Sequence, residues 1–129
     1  MEAFELYRSV LGGEFVGVNR YSEMPPDVQV PTGDTSKIMH IALQLEDGQG
    51  IMGSDRPPAT GSTTFGDSVH ISISPGSSEE ARRIFEGLAA GGEVTMPYER
   101  QFWGAEYGQL TDRYGIRWQV NYQLEDARA

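Results

Sequence analysis

Two helical segments of this chain end in the same way, and that repetition limits the fold more than any other feature. Glu2–Leu11 sets Phe4, Leu6, Tyr7, Val10 and Leu11 on one helical stripe and stops at Gly12-Gly13, followed by Glu14-Phe15. A second helix follows Ser77-Ser78-Glu79-Glu80, where Ser77 and Glu80 have capping-box spacing. It carries Ala81, Ile84, Phe85, Leu88 and Ala89 on one face and stops at Gly91-Gly92, followed by Glu93-Val94. The glycine pairs lie 79 positions apart (12 to 91), and the Glu-Ala starts 78 apart (2 to 80). Each helix precedes three strand-like segments. In the first half these are residues 15–21, 37–45 and 50–54. In the second they are residues 93–98 and the two arms of 102–121. A pattern repeated at this distance predicts tandem supersecondary units.

The halves are not equal. The second has an additional strand, residues 69–74, before its helix, and the first begins at its helix. By symmetry a strand of about six residues is missing from the first half. A shortened N-terminus is the first expectation, and a strand supplied by another chain the alternative. The fold class is therefore α+β: two tandem βαβββ modules whose curved mixed sheet forms a cup with the helices outside. One domain spans 1–129, with module one at 1–58, a linker rich in Gly, Ser and Thr at 59–67, and module two at 68–129. A chain of 129 residues can bury a core without staples.

Composition narrows the chemistry. The absence of cysteine excludes disulfides, thiolate metal sites and a cysteine nucleophile. A net charge of -9 opposes phosphate backbones and anionic lipid, so neither nucleic acid nor membrane is an expected partner. No apolar run has the length of a membrane span, and the acidic amphipathic start is unlike a signal peptide, so a cytoplasmic location is expected. There is no Gly-x-Ser-x-Gly elbow and no recognisable pair of catalytic carboxylates.

Strand alternation then proposes a site. After the turn Asp112-Arg113-Tyr114-Gly115, the residues Ile116, Trp118, Val120, Tyr122 and Leu124 alternate with Arg117, Gln119, Asn121 and Gln123. Met39, Ile41 and Leu43, with Val69, Ile71 and Ile73, form matching apolar faces for the helices to cover. The opposite faces carry His40, His70, Ser72, Arg117, Gln119 and Asn121, so both histidines fall on the polar side. If the sheet curves, that side lines a small-molecule pocket. Plainer readings stand beside this. His40 and His70 serve equally as ordinary hydrogen-bonded histidines, Gln119 and Asn121 as solvated groups, and Ser72 and Ser74 as filler. Trp103 and Tyr107 serve as core, although a loop tryptophan at a pocket mouth can stack on a ligand. Asp55, at a strand end, is read as a turn cap.

The ordered motifs resemble a known family. They are Glu2-Ala3-Phe4-Glu5-Leu6-Tyr7 with Gly12-Gly13-Glu14-Phe15, Met24-Pro25-Pro26, Lys37-Ile38-Met39-His40, Met52-Gly53-Ser54-Asp55, Gly91-Gly92 with Met96-Pro97, Phe102-Trp103-Gly104 and Thr111-Asp112-Arg113-Tyr114-Gly115. Together they look like the PhnB-like branch of the vicinal oxygen chelate superfamily, which also holds glyoxalase I, bleomycin- and fosfomycin-resistance proteins and extradiol dioxygenases. The resemblance covers nearly the whole chain and implies paired βαβββ modules, usually as a homodimer. In metal-dependent members four ligands come from the first and last strands of each module. Position by position, His70 falls where they place a histidine and Gln119 where they place a glutamate. Residues 51–53 (Ile, Met, Gly) stand where a second carboxylate is expected.

The resulting expectation is a small-molecule-binding protein of unknown specificity. Its pocket residues are His40, His70, Trp103, Gln119 and Asn121, its metal site is incomplete in this chain, and no cofactor is singled out. The alternatives are a lyase, isomerase or dioxygenase-type enzyme acting on a vicinal-oxygen substrate through a divalent metal on His70, Gln119 and groups from a restored first strand, and a non-catalytic interaction module. The branch often carries a ubiquinone-biosynthesis methyltransferase label, but the chain has no strand, glycine-rich turn and helix of the kind that binds a nucleotide-like cofactor.

Overall fold

The structure, a computed structural model, describes residues 1–25, 27, 33–56 and 63–124. The chain divides into two compact units, Met1–Thr64 and Phe65–Ala129. Part of the expected linker, 59–62, lies outside the described residues. The fold class is α+β, with two α-helices and seven strands among the described residues.

In the first unit α1 (Glu2–Leu11) is followed by β1 (Glu14–Arg20), β2 (Ile38–Gln44) and β3 (Gly50–Gly53). The strands form one antiparallel sheet in the order β1-β2-β3. Gly12 ends α1 at φ 78, and its N–H donates to the Arg8 carbonyl. A side chain there would be strained. The Phe4 ring lies so close to Gly53 that a Cβ on that glycine would sit 2.8 Å from it. Gly53 pairs with Ile41, and Ile51 with Leu43, so these positions face α1. Tyr7, Val10, Ile41 and Leu43 are buried.

Two irregularities in the β1–β2 ladder alter the predicted faces. Between Phe15 and Gly17, two steps of β1 match one of β2, and Val16 is left exposed. Between Asn19 and Arg20, one step of β1 spans two of β2. Strict alternation put Ile38 on the face of His40. Instead the ladder shifts between them, and Ile38 is as buried as Ile41. Asp55 does more than cap a turn. Its Oδ2 accepts from the Ile38 N–H at 2.7 Å, its own N–H donates to the Ile38 carbonyl at 2.8 Å, and its carbonyl accepts from the Tyr21 hydroxyl.

The second unit contains β4 (Ile71–Ile73), α2 (Ser78–Ala89), β5 (Glu93–Arg100), β6 (Ala105–Thr111) and β7 (Arg117–Gln123). Its sheet order is β4-β7-β6-β5, with β4 parallel to β7 and the other pairs antiparallel. Ser77 caps α2 by accepting from the Glu80 N–H at 3.1 Å. The helix packs over β5, β6 and β7. Ala81, Ile84, Phe85 and Leu88 on α2 are buried, as are Leu110, Trp118 and Val120 on the strands. Gly108 permits the approach, since a Cβ there would sit 2.8 Å from the Phe85 ring. Pro97 lies in β5, an edge strand, where a missing N–H is tolerated.

The repeat is visible in three dimensions within each unit. Gly13 lies against the backbone of Gln44 and Leu45, and Gly92 against Thr111 and Asp112, so a Cβ at either would run into the strand end. β1, β2 and β3 follow their helix in the same order as β5, β6 and β7, and β4 is the additional strand. The expected apolar face of 69–74 is corrected: only Ile71–Ile73 form the strand, and Val69 is 75% exposed and Ile71 38%. The strand lies at the sheet edge, beyond the three strands over which α2 packs.

Three hairpins share one turn. In residues 45–48, 101–104 and 112–115 the first residue's N–H donates to the carbonyl of the residue after the turn, and the fourth residue's N–H donates back to the first carbonyl. The fourth residue is Gly48, Gly104 or Gly115, at φ 88, 84 and 91. Each follows the rule that a left-handed glycine closes a type I-based hairpin.

Candidate functional site

Trp118 and Val120 point to the core from β7, so the intervening Gln119 and Asn121 point off the other face of the sheet. Register extends that face across the unit. Gln119 pairs with Ser72 on β4 and with Gln109 on β6, and Asn121 pairs with Tyr107. Directly paired residues bring their side chains into contact range. The Gln109 Nε2 donates to the Tyr107 hydroxyl at 2.8 Å. Among the described residues neither the Gln119 nor the Asn121 carboxamide has a hydrogen-bond partner, although both side chains are half-buried.

The aromatic end of this face comes from the turn at 101–104. Its tip presents Phe102, 98% exposed, and Trp103, 45% exposed. The Trp103 ring makes an edge contact with Tyr107 at 5.8 Å between centroids and with Phe102 at 5.1 Å. Gln101 steadies the turn by donating its Nε2 to the Glu99 and Tyr107 carbonyls. Tyr107 thus meets Trp103, lies opposite Asn121 and, through its bond to Gln109, is linked to the row of Gln119.

The histidines are placed less tightly. His70 is half-buried and just precedes β4, next to Ile71, which pairs with Trp118. His40 belongs to the first unit. It pairs with Asn19 on β1 and is exposed. Gln109 was not singled out by the sequence reading, although the alternation of Tyr107, Gln109 and Thr111 with Gly108 and Leu110 along β6 carried the signal.

The carboxylates nearest in sequence are engaged elsewhere. Asp112 is buried and accepts from the Trp118 Nε1 at 2.8 Å and from the Tyr114 and Ile116 N–H groups. Glu106 accepts from the Ser78 and Tyr98 hydroxyls on the α2 side. Burial, together with that hydrogen bond to Glu106, pushes the Tyr98 hydroxyl well above the ordinary tyrosine range. A separate open depression of about 400 Å³ lies in the first unit, lined by Gly13, Glu14, Gln44, Leu45 and Glu46, and includes none of the expected site residues. Two of its five lining residues are glutamates and none is aromatic, so it lacks the mixture of aromatic and neutral polar groups found on the face of Gln119.

Residues 1–120 match the model of the Glyoxalase/Bleomycin resistance protein/Dioxygenase superfamily. The chain belongs to this superfamily. It is 31% identical to Protein YjdN of Escherichia coli (strain K12), over 93% of this chain and 85% of YjdN. Among solved structures, protein PA1353 from Pseudomonas aeruginosa is 35% identical, with a TM-score of 0.83 over 96% of this chain and 89% of that one. A Bacillus cereus protein described as a putative 3-demethylubiquinone-9 3-methyltransferase, PhnB protein, is 28% identical, with a TM-score of 0.75 over 94% and 88%. These relatives support the PhnB-like branch.

Many enzymes of the superfamily use a metal, so the donor set of this member bears on its chemistry. Among the described residues no three His, Asp or Glu side chains are gathered. In the second unit the expected positions offer one imidazole, His70, and one neutral amide, Gln119. A catalytic transition metal such as zinc takes three or four His, Cys, Asp or Glu donors. The described residues do not supply such a set. No helix among the described residues is long and apolar enough to cross a membrane.

Proposed function

We propose that this PhnB-like member of the superfamily binds a small organic molecule on the sheet face opposite α2. Trp103, Gln119 and Asn121 contact the ligand, His70 stands at its margin, and His40 serves the corresponding face of the first unit. The observation that carries the reading is the pair of unpartnered, half-buried carboxamides beside an exposed aromatic turn. A fold has no need of Phe102 and Trp103 at a hairpin tip, where exposed aromatic surface works against solubility. The superfamily binds small molecules, and this face supplies the mixture of apolar and polar groups such sites use.

In this proposal the protein works in the cytoplasm, in keeping with its net charge of -9, and as a homodimer, the assembly that the family resemblance implies. Sedimentation at two loading concentrations checks the dimer, and a monomer at both removes it. The site is tested by titrating a small-molecule library against wild type, Gln119→Ala, His40→Ala and His70→Ala. The expected result is a set of ligands that lose affinity in Gln119→Ala and in at least one histidine variant. Ligands that bind all three variants as they bind wild type place the site elsewhere. The methyl transfer that the name of the Bacillus cereus relative suggests finds no support in this chain, because the turn between β4 and α2 has a single glycine, Gly76, where a nucleotide-like cofactor would need a glycine-rich approach.

A further inference from the structure

The chemistry of the face opposite α2 selects a class of ligand. Across β4, β7 and β6 it presents Ser72, Gln119 and Gln109 in one row, and Asn121 beside Tyr107 in the next. All five are uncharged, and each carries both donor and acceptor capacity. Charged groups stand at the margins. Arg117 lies one row further along β7 and donates its Nε to the Gly66 carbonyl at 3.0 Å, and Glu99 pairs with Tyr107 from the edge strand β5. Trp103 meets Tyr107 at the open end of these rows.

We propose that this face recognises an uncharged, planar ligand with a carboxamide or imide edge, stacked on Trp103 and hydrogen-bonded by Gln109, Gln119 and Asn121. This rests on the small-molecule reading above and adds the ligand class to it. A carboxamide offers a donor and an acceptor side by side, so two amides satisfy each other at two points. A carboxylate at the same place has only acceptors. It leaves an amide oxygen facing an oxygen, and brings a charge to a half-buried position whose row holds no cation. A ligand phosphate meets the same mismatch and the repulsion of a protein of net charge -9. An aromatic ring on the ligand uses the exposed Trp103 surface. A polar mismatch of this kind discriminates by on the order of tenfold or more.

The test uses matched pairs that differ in charge and little in shape: nicotinamide with nicotinate, and benzamide with benzoate. Each is titrated to millimolar concentration into the ¹⁵N-labelled protein at neutral pH, while the side-chain amides of Gln109, Gln119 and Asn121 and the Trp103 indole N–H are followed. The neutral member of at least one pair is expected to shift these resonances with an affinity on the order of tenfold above its charged partner. Trp103→Ala and Gln119→Glu are each expected to weaken that binding by a similar factor, with an unchanged far-ultraviolet circular dichroism spectrum as the control for folding. If the carboxylates shift the same resonances equally or at lower concentration, the ligand class is overturned while the small-molecule site stands. If none of the four compounds moves these resonances, the inference is overturned. Library ligands that still depend on Gln119 would then leave the site itself in place, and their loss as well would remove both.

Discussion

The turn that opens β7 depends on one buried carboxylate, and its replacement by the isosteric amide tests that dependence most sharply. Asp112 is 3% exposed, and Trp118, whose indole it binds, is fully buried. One carboxylate oxygen accepts from the Tyr114 N–H at 2.8 Å and the Ile116 N–H at 3.1 Å, and the other from the Trp118 Nε1 at 2.8 Å. All three are donors, so the site needs a side chain that only accepts. Asn keeps the shape and supplies one acceptor and one donor. Whichever way it turns, an N–H points at an N–H. A buried donor without its acceptor costs about 1–3 kcal/mol, so Asp112→Asn is expected to lose about 2 kcal/mol. Asp112→Ala removes both oxygens and leaves a gap, for about 3–4 kcal/mol. Trp118→Phe deletes the indole donor, which lets Asn turn its carbonyl to the two backbone groups. In the double variant the cost of the amide should therefore fall by about 1 kcal/mol or more. Urea unfolding followed by circular dichroism measures all four proteins. An Asp112→Asn protein within about 0.5 kcal/mol of wild type, or a double-mutant cycle with no coupling, refutes the claim that acceptor chemistry selects this residue.

Other expectations follow from the same packing. The Tyr98 hydroxyl holds its proton more tightly in the folded protein than in the unfolded chain, so its contribution is full below about pH 10 and declines as pH rises above that value. Urea midpoints of wild type should fall more than those of Tyr98→Phe between about pH 9 and about pH 11, and equal falls would contradict the assignment. Gly92→Ala drives a methyl group into the Thr111 carbonyl and the Asp112 backbone and should cost about 2–3 kcal/mol, whereas Gly17→Ala, with open space around it, should stay within about 0.5 kcal/mol in the same unfolding assay. Trp103→Ala should change stability by less than about 1 kcal/mol, since the ring is 45% exposed; a larger loss in thermal melts would reassign Trp103 to the core.

The sequence made the repeated parts easiest to read. Apolar residues at helical spacing, ended by paired glycines, located α1 and α2, because the glycines both stop the helix and admit the strand behind it. The closing hairpin was equally clear, since alternation over residues 116–124 separates Trp118 and Val120 from Gln119 and Asn121 without exception. Alternation failed where the ladder is irregular: the shift near Asn19 buried Ile38 despite its apparent pairing with His40. It also overstated residues 69–74, where apolar side chains lie at a sheet edge that local pattern cannot distinguish from a centre. Within the candidate site, Gln119 and Asn121 could be read from β7 alone. Alternation along β6 put Gln109 on a polar face, but only register set it beside Gln119, because a cross-strand partner is a property of pairing between distant segments. Asp112 was legible as a turn former, but its bond to the Trp118 indole required the folded geometry.

The shared turn at 45–48, 101–104 and 112–115 has a consequence for how such a protein can change. Its conformation is held by two backbone hydrogen bonds and a final glycine, so the two central residues are almost unconstrained by folding. In the 112–115 turn the first residue has been recruited to bind an indole, and exchange there is costly. At 101–104 the central pair is Phe102 and Trp103, and different side chains can occupy these positions on an unchanged backbone. If Trp103 contacts the ligand as proposed, ligand preference can drift through two adjacent codons while the scaffold stays fixed, which gives a small domain a route to new specificities without passing through unstable intermediates.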